Sequence, residues 1–404
     1  MIDELVQTQP VGVFPLPAGY LVVPPGVDDL RRSLLAGLRP SEVPVEARFV
    51  GLALDGQLPE AFAAVDGDDA VARLNRFVLD PTPEALAALD DLDGTLGAHR
   101  DLVAFTAGLV DEPSTGDSTP ELTALSHAAT ATVALDRDDV DAAIEGLTTA
   151  VELADPVSPL LGAQLRVSLA EAEATGGAPA HRLLGLYREA LERLDGTDLP
   201  VVRAECYVAA GMLLQEASNG VREALGEAVK HYHAALQLIG PADAPELWAT
   251  AHSNLASAYL TMPMVEASDQ LRFGVAVRSL RASLEVFTRE AHPDRWASTT
   301  LNLANALVYA PSTHQGDNLV EAVELYDEVL EARDRHTDPL GRARALANQG
   351  NALAHLGIFD HAHGRLHEAR AIFEEFEDHE SVRMIRDLLD GIARHRAAAA
   401  GEEA

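Results

Sequence analysis

Cysteine, lysine, aromatic residues and long apolar runs are all scarce in this chain. Cys206 is the only cysteine, so the sequence excludes an intramolecular disulfide and a cysteine-based zinc site. Lys230 is the only lysine and follows a valine, which excludes the Gly-Lys-Ser/Thr loop that cradles nucleotide phosphates. No run of about 18 apolar residues occurs, so we expect no membrane-spanning helix. The first residues lack the basic start of a signal peptide, so we expect a cytoplasmic protein.

The shortage of basic residues leaves the chain strongly acidic. Asp and Glu number 64 against 30 Lys and Arg, giving a formal net charge of −34. Such a surface repels the phosphates of nucleic acids and of anionic lipids, so we expect neither nucleic acid nor membrane as a partner. It favours a basic protein segment instead. Aromatic residues make up only 5% of the chain, and an apolar content carried by alanine and leucine favours helices packed on helices.

A pattern of paired amphipathic helices repeats through much of the chain. Asn254, Asn302 and Asn348 fall at equivalent places, 48 and 46 residues apart, and such a period predicts stacked helical hairpins. Each first helix opens with a proline, which costs little there because the first helical N–H has no intrahelical partner. Thr82 before Pro83 marks a similar start with a threonine cap. The predicted first helices open near Pro120, Pro159, Pro200, Pro245, Pro293 and Pro339.

The predicted second helices carry a small residue, a large residue four positions later, and a small or medium residue three positions after that. This spacing puts all three on one helix face. The small residues let paired helices approach closely, and the large residue fills the gap between hairpins. The sets are Ala143-Leu147-Ala150, Ala228-Tyr232-Ala235, Ala276-Leu280-Ser283, Ala322-Tyr326-Val329 and Ala362-Leu366-Ala369.

The sequence predicts an all-α fold in four parts. Residues 1–28 are punctuated by proline and glycine and predict an extended arm, either one short strand or a strap across a helical surface. Residues 29–118 predict a helical N-terminal region. Residues 119–380 predict an α-solenoid of about six hairpins, and residues 381–404 predict a capping helix and a tail.

The hairpins resemble the tetratricopeptide repeat (TPR). The best match is the last hairpin, in which Gly350, Leu353, Gly357, Ala362, Leu366 and Ala369 stand at the small and large positions of the family's signature. The phrases N-L-A-N-A-L and G-D-N-L-V-E-A-V-E-L-Y-D-E-V-L look like the long TPR variant of actinobacterial and cyanobacterial multidomain signalling proteins. The resemblance implies a non-enzymatic adaptor or scaffold that binds a helix or an extended segment of another protein in a groove lined by first helices.

Two alternative functions stay open. One is an accessory or maturation chaperone for a metalloenzyme or an enzyme complex, and the other is a TPR signalling sensor. A homo-oligomer is also open, because the apolar end faces of a helical stack can pair.

Asparagine side chains form the first candidate site. Asparagine disfavours helix interiors unless its side chain finds a partner, and residues three apart share a helix face. Stacked repeats would therefore make a row of amides that binds a peptide backbone; alternatively, the row ties inter-repeat loops together. Leu301 and Ala347 stand where the resemblance implies the lysines of a carboxylate clamp. The candidate groove residues are Asn254, Ser257, Asn302, Asn305, Asn348 and Asn351.

Histidines near the C terminus form the second candidate site. His363 and His367 are one helical turn apart, close to His361, and could share a divalent metal ion. The alternative is a polar surface on the last hairpin. The sequence contains no G-x-S-x-G or H-E-x-x-H motif, and its carboxylates are spread over exposed helix faces. We therefore expect no enzymatic activity and no cofactor.

Overall fold

A computed structural model of the protein describes residues 7–113, 118–265, 270–312 and 315–402, the side chains of 395–402 excepted. Within these residues the fold is helical and contains no β-strand. None of the described helices is long and apolar enough to cross a membrane. Residues 1–6 of the predicted arm and 403–404 of the predicted tail lie outside the described residues. The chain divides into two compact units, Met1–Ala210 and Gly211–Ala404.

The first unit is built from short N-terminal helices followed by longer helical pairs. Its helices are α1 (Asp28–Leu35), α2 (Arg48–Leu54), α3 (Leu58–Ala63), α4 (Ala70–Leu79), α5 (Pro83–Ala87), α6 (Gly94–Thr106), α7 (Pro120–Asp136), α8 (Val140–Ala154), α9 (Pro159–Thr175), α10 (Ala180–Leu194) and residues 200–210 of α11 (Pro200–Ala217). From α7 to α10 each helix packs on the next, and α7 also contacts α9. First helices of neighbouring hairpins therefore lie side by side, as in a helical repeat.

The second unit continues the same pattern. It holds the end of α11, then α12 (Arg222–Leu238), α13 (Pro245–Thr261), α14 (Leu271–Leu284), α15 (Pro293–Tyr309), α16 (Gln315–Ala332), α17 (Pro339–His355), α18 (Phe359–Glu375) and α19 (His379–Glu402). Consecutive helices pack together, and contacts also join α13 to α15, α15 to α17 and α17 to α19. The predicted all-α array of stacked helical hairpins is confirmed.

Proline positions locate the helix starts. All six predicted prolines are the first residues of α7, α9, α11, α13, α15 and α17. Caps strengthen two of the predicted starts: the Asp338 carboxylate accepts from the Gly341 N–H at 2.9 Å, and the Thr82 hydroxyl accepts from the Ala85 N–H at 3.2 Å. Each cap satisfies a backbone donor that the helix itself leaves unpaired.

Small residues allow the helices of a hairpin to approach closely. All five predicted small-large-small sets are buried, none of their members being more than 3% exposed. At Gly350 in α17, an added Cβ would lie 2.7 Å from Cγ of Leu366 in α18. At Gly211 in α11 it would lie 2.7 Å from the Tyr232 ring of α12. Neither glycine has room for a larger side chain.

The N-terminal arm is a strap across the helices of the first unit. Val13, Leu21 and Val22 are each 1% exposed, and the arm from residue 7 to residue 27 contains no strand. Asn75 of α4 takes the place of a neighbouring strand: its Oδ1 accepts from the Val22 N–H at 2.8 Å and its Nδ2 donates to the Val22 carbonyl at 3.1 Å. From α9, Gln164 Nε2 donates to the Val13 carbonyl at 2.8 Å. Side-chain amides thus satisfy backbone groups that burial would otherwise leave unpaired.

A buried histidine holds the same arm. His99 of α6 is fully buried, and its Nε2 lies 2.7 Å from the Tyr20 carbonyl oxygen. Burial lowers the pKa of His99 to about 4, against its ordinary value of 6.5, although the bond to Tyr20 opposes the shift. The ring is therefore neutral at pH 7, and its Nε2–H donates to that carbonyl.

Candidate functional site

Two adjoining recesses of the second unit collect the predicted amide side chains. The first, about 530 Å³, lies between the end of α11, the start of α12 and α13; the second, about 480 Å³, lies between α13, α15 and α17. Thr261 lines both, so we treat them as one groove, the amide groove. Asn254 lines the first recess, and Ser257, Asn302, Asn305, Asn348 and Asn351 line the second.

Two hydrogen bonds fix the orientation of the Asn305 amide. Tyr326 Oη of α16 donates to Asn305 Oδ1 at 2.7 Å, and Asn348 Nδ2 of α17 donates to the same oxygen at 2.9 Å. Burial raises the pKa of Tyr326, so its hydroxyl stays protonated and remains a donor. Both lone pairs of the Asn305 oxygen are used, which leaves its NH₂ group as the part it offers to a ligand. Asn348, whose NH₂ is engaged, offers its carbonyl oxygen.

The neighbouring asparagines keep hydrogen-bonding capacity. Within the described residues Asn302 has no hydrogen-bond partner, so it offers both a donor and an acceptor. Asn351 Nδ2 donates to Tyr309 Oη at 3.3 Å, which leaves its carbonyl oxygen unused. The second recess therefore combines donors and acceptors that the protein itself does not saturate.

A similar chain of hydrogen bonds passes through Gln215, a residue of the first recess that the sequence did not mark as a candidate. Tyr232 Oη donates to Gln215 Oε1 at 2.9 Å, and Gln215 Nε2 donates to Ser257 Oγ at 3.1 Å. Asn254 Nδ2 is buried and has no partner among the described residues. A signal was present: Tyr232 and Tyr326 occupy the large position where three other hairpins have leucine, and a buried tyrosine hydroxyl needs a partner.

Apolar side chains border the second recess. Met264 is 53% exposed and Tyr309 is 55% exposed, although both are large and apolar. The Tyr309 ring lies against Phe273, with ring centroids 6.0 Å apart. Exposed apolar groups gathered at a recess are typical of a binding surface.

Charge is nearly absent from the groove. Among the described residues that line its two recesses, Glu216 is the only charged one, and no lysine, arginine or histidine lines either recess. A C-terminal carboxylate would therefore find no cationic group among these described lining residues. This agrees with the leucine and alanine at positions 301 and 347.

The predicted histidine site is only partly assembled. His363 Nε2 and His367 Nε2 lie 3.1 Å apart on α18, and burial together with the charge of His363 lowers the pKa of His367. His361 is exposed, and the hydrogen bond and ring contact of this pair do not include it. In the described part of the chain, no group of three or more His, Cys, Asp or Glu side chains is placed to hold a metal ion.

Comparison with known proteins adds little beyond the fold. No family model matches the sequence, and no curated protein matches it. Among solved structures, the chain is similar to BtubC (BKLC) from P. vanneervenii, at 19% identity over 65% of this chain and 93% of that chain, with a TM-score of 0.39. It is also similar to a Rap protein complexed with competence and sporulation factor, at 14% identity over 88% of this chain and 98% of that chain, with a TM-score of 0.45. At TM-scores this low, neither likeness bears on what the chain binds.

Proposed function

We propose that the protein is a non-enzymatic adaptor of the TPR type, and that its amide groove binds an extended segment of a partner protein. One observation carries the proposal: Asn305 is held with its NH₂ group free while Asn348 is held with its carbonyl free. An extended peptide backbone presents the complementary groups, a carbonyl acceptor and an N–H donor, at every residue.

The fixed orientation of these amides supports binding. An amide that can turn must lose that freedom when a ligand arrives, whereas Asn305 is already held by two donors. Asn302 and Asn351 add unused groups on the neighbouring faces of α15 and α17. A ligand backbone would therefore meet several hydrogen-bonding groups with little rearrangement of the protein.

The groove also favours binding over catalysis. General acid–base chemistry needs an ionisable group within hydrogen-bond reach of the reacting atoms, commonly in a pair with different pKa values. The lining residues within the described part of the chain offer a single carboxylate, Glu216, beside neutral amides and hydroxyls. We infer that the groove is a docking surface.

A peptide library tests the proposal directly. Random dodecapeptides displayed on phage are selected against the full chain, and the selected sequences are synthesised with fluorescent labels for anisotropy titrations. Each lost neutral hydrogen bond should cost about 1 kcal/mol, or about fivefold in Kd. We therefore expect the Asn302→Ala and Asn305→Ala changes to weaken binding about fivefold each, and Gln237→Ala, an exposed amide on α12 outside the groove, to have no effect.

A conservative change tests the fixed orientation. Tyr326→Phe keeps the ring but removes the hydroxyl that donates to Asn305, so only the bond from Asn348 still orients the Asn305 amide. Peptide affinity should fall although the asparagines offered to the ligand have not changed. If the double variant of Asn302 and Asn305 bound the selected peptides as tightly as the unmodified protein, the groove would not be the binding site.

A further inference from the structure

Glu216, the only charged residue among the described ones that line the amide groove, has no counter-ion among the described residues. Glu216 is exposed on α11 and forms no ion pair within the described residues. It also lies in the last turn of α11, where a negative charge opposes the helix dipole. Helix stability therefore does not explain the choice of glutamate at this position. An unpaired carboxylate at the edge of a recess attracts a cationic side chain of a ligand.

The second recess fits an apolar side chain. Met264 borders it with an adaptable thioether, and the Tyr309 and Phe273 rings form the adjacent wall. A ligand side chain seated there would cover apolar surface that is now exposed to water. Since none of the described residues that line this recess is charged, a charged ligand side chain would lose hydration without gaining a partner among them.

The distance between Glu216 and the apolar recess beside Met264 follows from the spacing of the helical repeat. Glu216 lies in the recess between α11 and α13, and Met264 lies in the next recess, between α13 and α15. Packed helices are about 8–10 Å apart, and an extended peptide advances about 3.3 Å per residue. One repeat therefore corresponds to about three ligand residues.

We propose that the amide groove selects an internal, extended segment that carries a lysine or arginine about three residues from a large apolar residue. This specificity rests on the proposed function. Glu216 receives the cation, and the recess beside Met264 and Tyr309 receives the apolar group. The segment needs no free C terminus, because none of the described residues that line the groove is a cation that would hold a carboxylate.

Capped peptides test this specificity. Peptides from the library selection are synthesised with acetylated N termini and amidated C termini, together with versions in which the basic residue becomes glutamate or the apolar residue becomes serine. Affinities are measured by fluorescence anisotropy for the full chain and for Glu216→Lys, Tyr309→Ser and Glu324→Lys. Glu324 is an exposed glutamate of α16 without an ion pair in the described residues, and it provides the matched control.

We expect Glu216→Lys to lower the affinity for the basic peptide about tenfold. The peptide in which the basic residue is replaced by glutamate should bind Glu216→Lys without this loss of affinity. Glu324→Lys should leave both affinities unchanged. Lysine near the end of α11 favours the helix dipole, so thermal unfolding followed by circular dichroism should show no destabilisation from Glu216→Lys. Tyr309→Ser should lower the affinity for the peptide with the apolar residue, but not for the peptide in which serine replaces that residue.

The outcomes separate this inference from the proposed function. If peptides bind and depend on Asn302 and Asn305, but show no basic preference and respond alike to the changes at Glu216 and Glu324, the specificity is wrong and the docking function stands. If amidation of the C terminus abolishes binding, the internal-segment inference is wrong. If no peptide is selected, both proposals fail.

Discussion

Replacing Gly350 with alanine should destabilise the second unit, although the same change stabilises most helices. Gly350 lies within α17, where alanine would ordinarily favour the helix by about 1 kcal/mol. An added Cβ would lie 2.7 Å from Cγ of Leu366, 3.0 Å from its Cδ2 and 3.2 Å from the Ala362 carbonyl oxygen. Cγ is the branch point of a fully buried side chain, so the overlap cannot be relieved by turning a flexible end.

The expected magnitude is the difference between two terms. Overpacking a close contact costs about 1–3 kcal/mol, and the helix propensity of alanine returns about 1 kcal/mol. The net loss in the free energy of unfolding should be up to about 2 kcal/mol. Urea denaturation followed by circular dichroism measures it as a lower midpoint with an unchanged slope.

A second glycine in the same hairpin provides the control. Gly364 lies within α18, and an added Cβ there would meet nothing within 4 Å. Gly364→Ala should therefore stabilise the protein by about 0.5–1 kcal/mol. In a Leu366→Ala background only the 3.2 Å contact with the Ala362 carbonyl oxygen remains, so Gly350→Ala should lose most of its destabilising effect. If Gly350→Ala raised the midpoint as much as Gly364→Ala in the unmodified background, the close-packing explanation would be refuted.

Further predictions concern the arm and the histidine pair. Because burial lowers the pKa of His99 to about 4 from 6.5, its contribution to stability is complete above pH 6.5 and is lost as the pH falls towards 4. The melting temperature of His99→Gln should therefore fall less over this window than that of the unmodified protein. Asn75→Ala unpairs two backbone groups of Val22, so stability should fall by about 2 kcal/mol, and chymotrypsin should cleave the arm faster. Calorimetry with zinc or nickel should show weak binding that His363→Ala abolishes and His361→Ala preserves; no heat above buffer would end the metal-linked alternative.

Local rules were sufficient to predict the helical hairpins. Proline at the first helical position and the small-large-small spacing act within one hairpin, so they can be read without knowing the rest of the fold. The start of α17 at Pro339 and the buried set around Leu366 follow directly from them. The individual helices of the N-terminal region were less predictable. The sequence did not predict α6 (Gly94–Thr106) as a separate helix, because its start lacks a proline and its apolar stripe is weak.

The groove could be predicted only in part. The spacing of Asn302, Asn305, Asn348 and Asn351 placed these residues on one face, and all four line the second recess. Which end of each amide is free could not be predicted, because it depends on the hydroxyl of Tyr326, a residue of a different helix. The arm posed the same difficulty, since the choice between strand and strap depended on amides of α4 and α9 that are distant in sequence.

The strap across the first unit has a consequence for the order of events during synthesis. Residues of the arm leave the ribosome before the helices on which they pack, since their partners Glu121 and Gln164 lie 112 and 151 residues further along. The Val13 carbonyl must therefore wait for its partner until α9 has been translated, whereas Val22 can pair with Asn75 once α4 has been made. At typical elongation rates of about 5–20 residues per second, this delay is on the order of ten seconds. During that interval the part of the nascent arm that packs on α9 is an apolar segment open to a ribosome-associated chaperone.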